Sequence, residues 1–143
     1  MPYPEPLIVP MREDLTKFGV TETRTAADVD SVIAGSGTVL MITNSVCGCA
    51  AGKARPAVGM ALMNTVKPDS TATVFAGADV EAVAHLRERH LQGVPPSSPS
   101  MALFRDGKVV WSLHRFEIES RQAPEIAALL TGAFDRFCTQ TTA

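Results

Sequence analysis

The spacing of apolar and polar residues along the chain predicts a mixture of helices and strands. Apolar residues at helical spacing predict a short helix after a proline-punctuated entry, stopped by Gly19. A second helix is predicted after Thr25, whose hydroxyl is placed to cap the amide near Asp28. From Thr38 to Thr43 every residue is apolar or β-branched, which is typical of a strand buried on both faces. Both helices are therefore expected to precede the first strand.

The middle of the chain continues with helices and strands in alternation. Small and unbranched residues from Cys47 to about Val66 predict a helix that Pro56 kinks. A second strand is predicted from Thr71. Asp79 is expected to cap a polar helix that runs to about Gln92, and the segment GVPPSSPS that follows is predicted to be a loop.

A hairpin and a helix are predicted to complete the fold. Asp106-Gly107 stands between the apolar runs 101–104 and 109–113, a strong signal for a two-residue turn. Apolar residues recur at helical spacing over 126–137, behind Pro124. One parallel βαβ unit, an antiparallel hairpin and a closing helix give the thioredoxin-like order. We therefore predict a single α/β domain over residues 1–143, a mixed sheet with helices on both faces and an N-terminal helical extension.

Composition and charge exclude several classes of partner. The chain has 143 residues, of which 45% are hydrophobic and 20% charged, as in ordinary globular proteins, and its net charge is −2. Because no block of lysines or arginines occurs, neither nucleic acid nor a membrane is an expected partner. The N-terminal residues show no export signal, and the apolar run TVLMIT is far shorter than the ~20 residues of a membrane-spanning helix. A soluble, cytoplasmic protein is expected.

Two cysteines, Cys47 and Cys49, lie one glycine apart between a predicted strand and a predicted helix. The amides of a helix N-terminus favour a thiolate at Cys47, and Gly48 allows backbone angles that bring the two sulfurs together. A redox pair, half of a metal site and two buried structural cysteines are the competing interpretations. The redox interpretation is favoured over both others, because the pair lies between a strand and a helix. Cys138 and the three histidines do not follow a recognisable zinc-binding spacing, so we predict no metal ligands.

Other candidates have two interpretations each. Lys53 and Arg55 either favour the thiolate of Cys47 and meet an anionic substrate or are solvated helix charges. Cys138 continues the apolar stripe of the last helix and is expected to be a buried structural thiol. The histidines are expected to be surface or structural residues rather than catalytic ones: His85, His90 and His114.

Pro99 supports the redox interpretation from a distant part of the sequence. The segment SSPSMALFRDGK places Pro99 just before the hairpin. In the thioredoxin-like topology this loop lies opposite the cysteine-bearing helix. A cis Ser98-Pro99 peptide bond, close to the Cys47 sulfur, is therefore predicted.

Several segments together resemble the bacilliredoxin family, thioredoxin-like proteins with a C-G-C active site: YPEPLIVPMREDLTKFGV, NSVCGCAAGKARPAV, TVFAGADVEA, PPSSPSMALFRDGK and GAFDRFC. The resemblance implies a cytoplasmic thiol-disulfide oxidoreductase that removes bacillithiol from protein mixed disulfides. Its implied partners are bacillithiolated proteins and bacillithiol, which serves as a thiol co-substrate, with no bound cofactor. The family as a class also implies weak disulfide isomerase activity.

The same resemblance assigns roles to individual residues. It implies that Cys47 attacks the disulfide and Cys49 resolves the intermediate, while Ser98 and Pro99 form the cis-proline substrate-binding site. The sequence departs from thioredoxin at Val46, which stands where thioredoxin has a tryptophan, and in the absence of a carboxylate from strand 38–43. A general protein disulfide isomerase or reductase, and a non-catalytic metal-binding or redox-sensing module, are the alternative functions.

Overall fold

A five-stranded mixed sheet forms the centre of the molecule in a computed structural model that describes residues 3–34 and 37–138. In spatial order the strands are β1-β3-β2-β4-β5. The first three run parallel, β4 runs antiparallel to β2, and β5 runs antiparallel to β4. The strands are β1 Thr21–Glu22, β2 Thr38–Asn44, β3 Ser70–Phe75, β4 Ser100–Arg105 and β5 Lys108–Leu113.

Helices cover both faces of this sheet. Two of them are joined to a five-residue π-helical segment, Ala50–Ala54 before α3 and Leu86–His90 after α4. The α-helices are α1 Glu5–Thr16, α2 Ala26–Ile33, α3 Arg55–Ala61, α4 Val80–His85, α5 Arg115–Glu119 and α6 Ala123–Phe137. Among the described residues, no helix combines the length and the apolarity that crossing a membrane requires.

A hydrophobic core lies on each face of the sheet. The central strand β2 supplies side chains to both cores, as its continuous apolar sequence predicted. Leu40 and Ile42 pack with α3, α5 and α6, while Val39 and Met41 pack on the other side with α2 and α4. All seven residues of β2 are buried. The thioredoxin-like mixed sheet with helices on both faces and an N-terminal helix is thereby confirmed. The prediction of one domain over 1–143 stays a prediction.

Two local signals in the sequence are confirmed, the cap of α2 and the turn of the hairpin. The Thr25 hydroxyl accepts a hydrogen bond from the Asp28 amide and caps α2, as expected. Asp106 and Gly107 have φ angles of 51° and 82°, the left-handed conformations that a tight two-residue hairpin requires. Gly35 and Gly37 also predict a break of the chain between α2 and β2, and Gly35 lies outside the described residues.

Three expectations about element boundaries are wrong, and two further features were not expected. Not all of the N-terminal prolines precede the first helix, since Pro6 and Pro10 lie inside α1 while Pro4 stands just before it. Strand β1 precedes α2, so the two helices do not both come before the first strand. The cysteine-bearing helix ends at Ala61 rather than near Val66. The segment before Pro56 is π-helical, a wider turn that accommodates a proline lacking an N–H donor. A short helix after the hairpin, α5, was not expected at all.

Asp79 precedes α4 but does not cap it with its side chain, which corrects the expectation. Its buried carboxylate instead accepts two hydrogen bonds from the Arg12 guanidinium, at 2.8 and 2.9 Å, and one from the Phe75 amide. Arg12 is itself 3% exposed and also bonds Glu5. This pair ties α1 to the end of β3, next to the loop that precedes the cysteines.

Candidate active site

Cys47 begins the helical segment that follows β2. The Cys47 carbonyl accepts the amides of Ala50 and Ala51, and the Cys47 amide donates to Ser45 Oγ at 3.0 Å. Asn44, the last residue of β2, in turn accepts the Ser45 amide on its side-chain oxygen. The strand end and the first helical turn thus fix the backbone around Cys47.

The sulfurs of Cys47 and Cys49 lie 2.8 Å apart, although residues two apart in a regular helix do not face each other. The backbone amides of Cys49 and Ala50, at the start of the helix, also favour a negative charge on the Cys47 sulfur and lower its pKa. Both cysteines are partly exposed and unbridged. The sulfurs meet as the sequence suggested, but Gly48 is helical and has no positive φ, so glycine-specific backbone angles do not bring them together.

Arg115, at the start of α5, places a positive charge at the same sulfur. Its Nη2 donates to Cys47 Sγ at 3.3 Å, while its Nε pairs with the Glu119 carboxylate. The guanidinium is about half exposed to solvent. Sequence analysis missed this role because α5 has only five residues, too few to show a helical period. The weak signals are Glu117, three residues after His114, and the Arg115/Glu119 spacing of four.

The two thiols of the pair are shifted in opposite directions. The pKa of Cys47 is lowered from that of a free cysteine by the hydrogen bond from the Cys49 thiol, by backbone amides and by the charge of Arg115. The pKa of Cys49 is raised by burial and by the neighbouring Cys47 sulfur. A single proton on Cys49, donated to a Cys47 thiolate, satisfies both sulfurs. Cys47 is therefore the stronger nucleophile at neutral pH.

Arg55, one of the two other cations near the motif, does not act as the sequence suggested. Arg55 is 4% exposed, bonds Asn44 Oδ1 and the Ser45 carbonyl, and lies at ion-pair distance from Asp14, 3.1 Å, without hydrogen-bond alignment. It is neither solvated nor at the sulfur, so both interpretations of Arg55 are wrong. Lys53 donates to the Glu119 carbonyl and so ties the helix to α5.

The Ser98-Pro99 peptide bond is cis, as the sequence predicted, and Pro99 is buried. Arg115 links this loop to the cysteine, because Nη1 of the guanidinium that contacts Cys47 donates to the Ser98 carbonyl at 3.3 Å. The Arg115 amide also donates to Ser97 Oγ. Arg115 thus connects Ser98 to Cys47, while the closeness of Pro99 to the sulfur and the role of Ser98 and Pro99 in substrate binding stay predictions.

The remaining candidates lie apart from the sulfur pair or serve structural roles. Cys138 packs partly buried against the larger core, and burial raises the pKa of its thiol. His114 precedes α5, and its amide donates to the Glu117 carboxylate. Among residues 3–34 and 37–138, the only cluster of three or more possible metal ligands contains no cysteine. That cluster joins two histidines expected at the surface, His85 and His90, to Asp30.

Comparison with known sequences places residues 3–138 in a family described as disulphide isomerase. A bacilliredoxin of Koribacter versatilis is 50% identical over 140 residues, covering 97% of this chain and 96% of the relative. A bacilliredoxin of Bacillus licheniformis is 46% identical over 138 residues, covering 95% of each chain. These similarities extend along nearly the whole length of the chain.

Solved structures agree on the fold at low sequence identity. A mutant thioredoxin from Halobacterium salinarum superposes with a TM-score of 0.57 and 17% identity, covering 90% of this chain and 95% of that one. A thioredoxin of Fasciola hepatica gives a TM-score of 0.54 with 20% identity, covering 82% and 99%. At these identities the likeness establishes the thioredoxin fold alone.

Proposed function

The chain belongs to the bacilliredoxin family and is a thiol-disulfide oxidoreductase, and on this premise we propose that it removes bacillithiol from mixed disulfides with proteins. Cys47 is the attacking thiolate and Cys49 the resolving thiol. The reaction uses no bound cofactor, and bacillithiol is its thiol co-substrate. Bacillithiolated proteins are its partners, in the cytoplasm.

The first step follows from the opposite pKa shifts of the two thiols. The Cys47 thiolate attacks the bacillithiol sulfur of the mixed disulfide, a new bond forms between these two sulfurs, and the bond to the substrate protein breaks. The substrate protein leaves with the electron pair as a thiolate, takes up a proton and is thereby reduced. Cys47 now carries bacillithiol in a disulfide.

The second step discharges bacillithiol by one of two routes. Cys49 loses its proton and attacks Cys47, which forms the Cys47–Cys49 disulfide and releases bacillithiol as a thiolate. Alternatively a second bacillithiol attacks the bound one, which leaves Cys47 reduced and forms bacillithiol disulfide. The 2.8 Å separation of the two sulfurs supports the first route, because Cys49 lies within reach of Cys47 without rearrangement of the helix.

The strongest support for the proposal is that three kinds of donor surround the Cys47 sulfur. The Cys49 thiol, two backbone amides and Arg115 all favour its ionised form. Bacillithiol bears a malate, so its adducts bring carboxylates to this electropositive, partly open site. Arg115 therefore takes the part in anion recognition that the sequence suggested for Arg55.

General disulfide isomerase or reductase activity is the second candidate. The description of the matching family, disulphide isomerase, favours it. In that reaction Cys47 attacks the protein sulfur and forms a mixed disulfide with the substrate protein itself. The two candidates thus differ in which sulfur of the substrate becomes attached to Cys47.

Intact mass spectrometry of the Cys49→Ala variant distinguishes these outcomes. The variant is incubated with a single-cysteine protein that carries bacillithiol, and we expect bacillithiol to remain on Cys47 while the substrate protein is released reduced. Cys47→Ala is the matched control and should acquire no mass. A parallel incubation uses the same substrate protein carrying glutathione.

Three results would contradict the proposal in different ways. A covalent adduct between the variant and the substrate protein would support the isomerase candidate instead. Equal turnover of the glutathionylated and bacillithiolated substrates would remove the specificity and leave a generic thiol-disulfide oxidoreductase. Labelling of Cys47→Ala by bacillithiol would show that Cys47 is not the nucleophile.

A further inference from the structure

Three side chains on the opposite side of the sheet from the cysteines bring their ligand atoms together. His85 Nε2 and His90 Nε2 each lie 2.7 Å from the same oxygen, Oδ1 of Asp30. All three ligand atoms lie within 4.8 Å of one another. The imidazole rings meet edge to face, with centroids 5.7 Å apart. Two imidazole nitrogens and one carboxylate oxygen thus point at a common centre.

The π-helical segment Leu86–His90 is what makes the two histidines neighbours. Residues five apart in an α-helix point in different directions, because five residues exceed one turn by more than a third. In a π-helix, residues five apart are hydrogen-bonded across one turn, so His85 and His90 stack on the same side. From the sequence, both histidines were expected at the surface because they lie among charged residues of a helix, and nothing related one to the other.

Packing of α2 against α4 brings Asp30 to the two histidines. Val29 and Ile33 of α2 share a buried core with Val83 and Leu86, which fixes the separation of the two helices. The His90 ring also packs edge to face on the buried Phe104, with centroids 6.4 Å apart. Secondary structure and core contacts therefore hold the ligand-bearing elements, while the Asp30 side chain, 52% exposed, can adjust.

The donor set is one that first-row divalent metals bind. Zinc takes imidazole nitrogen at about 2.0–2.1 Å and carboxylate oxygen at about 2.0–2.2 Å, and three protein ligands leave a fourth position for water. Ligand atoms around a tetrahedral zinc are about 3.3 Å apart by these bond lengths, so the present 2.7 Å hydrogen bonds need only a small expansion. The side chains of His85 and His90 are 22% and 18% exposed, which leaves an entry path.

We propose that Asp30, His85 and His90 form a binding site for a divalent first-row transition-metal ion such as Zn²⁺, independent of the cysteine site. The ion replaces the protons that the two imidazoles donate to Asp30. It joins α2 to the end of α4, two elements that also contact each other through their apolar faces and through a hydrogen bond from the Ala26 amide to the Glu81 carboxylate.

Calorimetric titration with ZnCl₂ tests the site in a full-length background with all three cysteines replaced by serine, because thiolates also bind zinc. We expect one ion per chain. Because loss of groups that merely support metal ligands costs ~10–100-fold in affinity, His85→Ala, His90→Ala or Asp30→Asn should each weaken binding by at least about tenfold. His114→Ala, which removes the third histidine of the chain, is the matched control and should bind zinc like the background.

Absence of zinc binding in the folded background, or binding that survives both His85→Ala and His90→Ala, would overturn the proposal. If the serine background does not fold, the wild-type protein is titrated with zinc while the imidazole nitrogens are followed by NMR. Shifts of His85 and His90 without a shift of His114 then support the site. No shift at either of these two histidines would overturn it.

Discussion

Two arginines reach the segment around Cys47, one from the core and one from solvent. Arg55 is 4% exposed and bonds the backbone and side chain of the loop before the cysteine. Arg115 is about half exposed and bonds the cysteine sulfur itself. Burial lowers the pKa of the Arg55 guanidinium, whereas the pKa of Arg115 is raised, first by its hydrogen bond to Glu119.

The contrast separates two tasks that the sequence could not distinguish. The buried guanidinium of Arg55 donates to the loop before Cys47 and so determines where the Cys47 sulfur lies. An exposed guanidinium next to the sulfur affects how readily the thiol ionises, and solvent weakens that effect. Removing the first should therefore damage the fold, and removing the second should change the chemistry while the fold persists.

The largest effect is expected from Arg55→Ala. The change leaves the Ser45 carbonyl without this buried donor and weakens the anchor of Asn44, so the free energy of unfolding should fall by about 2–4 kcal/mol. Urea unfolding followed by circular dichroism measures it. Arg115→Ala is the matched control and should unfold near the wild-type midpoint. Equal midpoints for wild type and Arg55→Ala would refute the structural role.

Cys49→Ala should have the next largest effect, on the reactivity of Cys47. The thiolate is the reactive form, so the alkylation rate rises with pH through the Cys47 pKa, which the Cys49 thiol helps to lower below the ~8.5 of free cysteine. Without that donor the profile should move to higher pH, and the rate at neutral pH should fall roughly five- to tenfold. Brief iodoacetamide labelling and peptide mapping measure this.

Cys138→Ala serves as the control for that experiment, because its thiol lies in the core region and should leave the Cys47 profile unchanged. In the wild-type protein, Cys49 and Cys138 should be labelled only at higher pH, since the pKa of each is raised. Faster labelling of Cys138 than of Cys47 would contradict the assignment of the nucleophile.

Arg115→Ala should lower the rate of Cys47 alkylation at neutral pH by about two- to fivefold, as expected for an exposed ion pair. Arg115→Lys keeps the charge but not the planar fork that also bonds Ser98, and should restore part of the rate. Unchanged labelling in Arg115→Ala would show that the helix amides and Cys49 alone ionise Cys47.

The smallest expected effect is that of salt on the difference in Cys47 alkylation rate between wild type and Arg115→Ala. Because exposed charges are screened within about 3 Å at 1 M ionic strength, the difference between wild type and Arg115→Ala should shrink as salt is added. The stability difference caused by the buried Arg55 should change much less. Labelling rates and urea midpoints at low and high salt give both results, and a salt-independent Arg115 effect would contradict its electrostatic origin.

Most of the fold could be predicted because strong local signals coincide with its main elements. The uninterrupted apolar run of β2, the Thr25 cap and the Asp106-Gly107 turn each specify local structure without help from distant residues. Elements of two to five residues could not be predicted, since β1 and α5 are too short to repeat the hydrophobic period that would reveal them.

The candidate site was predictable in its cysteines and its proline but not in its cation. Cys47 and Cys49 are evident from their spacing, and the cis bond at Pro99 follows from topology. Arg115 is 68 residues from Cys47 in sequence, and only the folded hairpin returns it to the sulfur. The choice between Arg55 and Arg115 depends on burial, which the charge pattern alone does not reveal.

The buried pair of Arg12 and Asp79 has a consequence for how this fold can diverge. Removing one partner of a buried ion pair costs about 3–5 kcal/mol, whereas replacing both with well-packed apolar residues is often neutral. Single mutations at either codon are therefore expected to lead through a poorly folded intermediate, which a simultaneous apolar replacement of both residues avoids. Natural variants are expected to keep both residues or to change both together. Because Arg12 and Asp79 are 67 positions apart in the sequence, this dependence is visible only where both positions are substituted in the same variant.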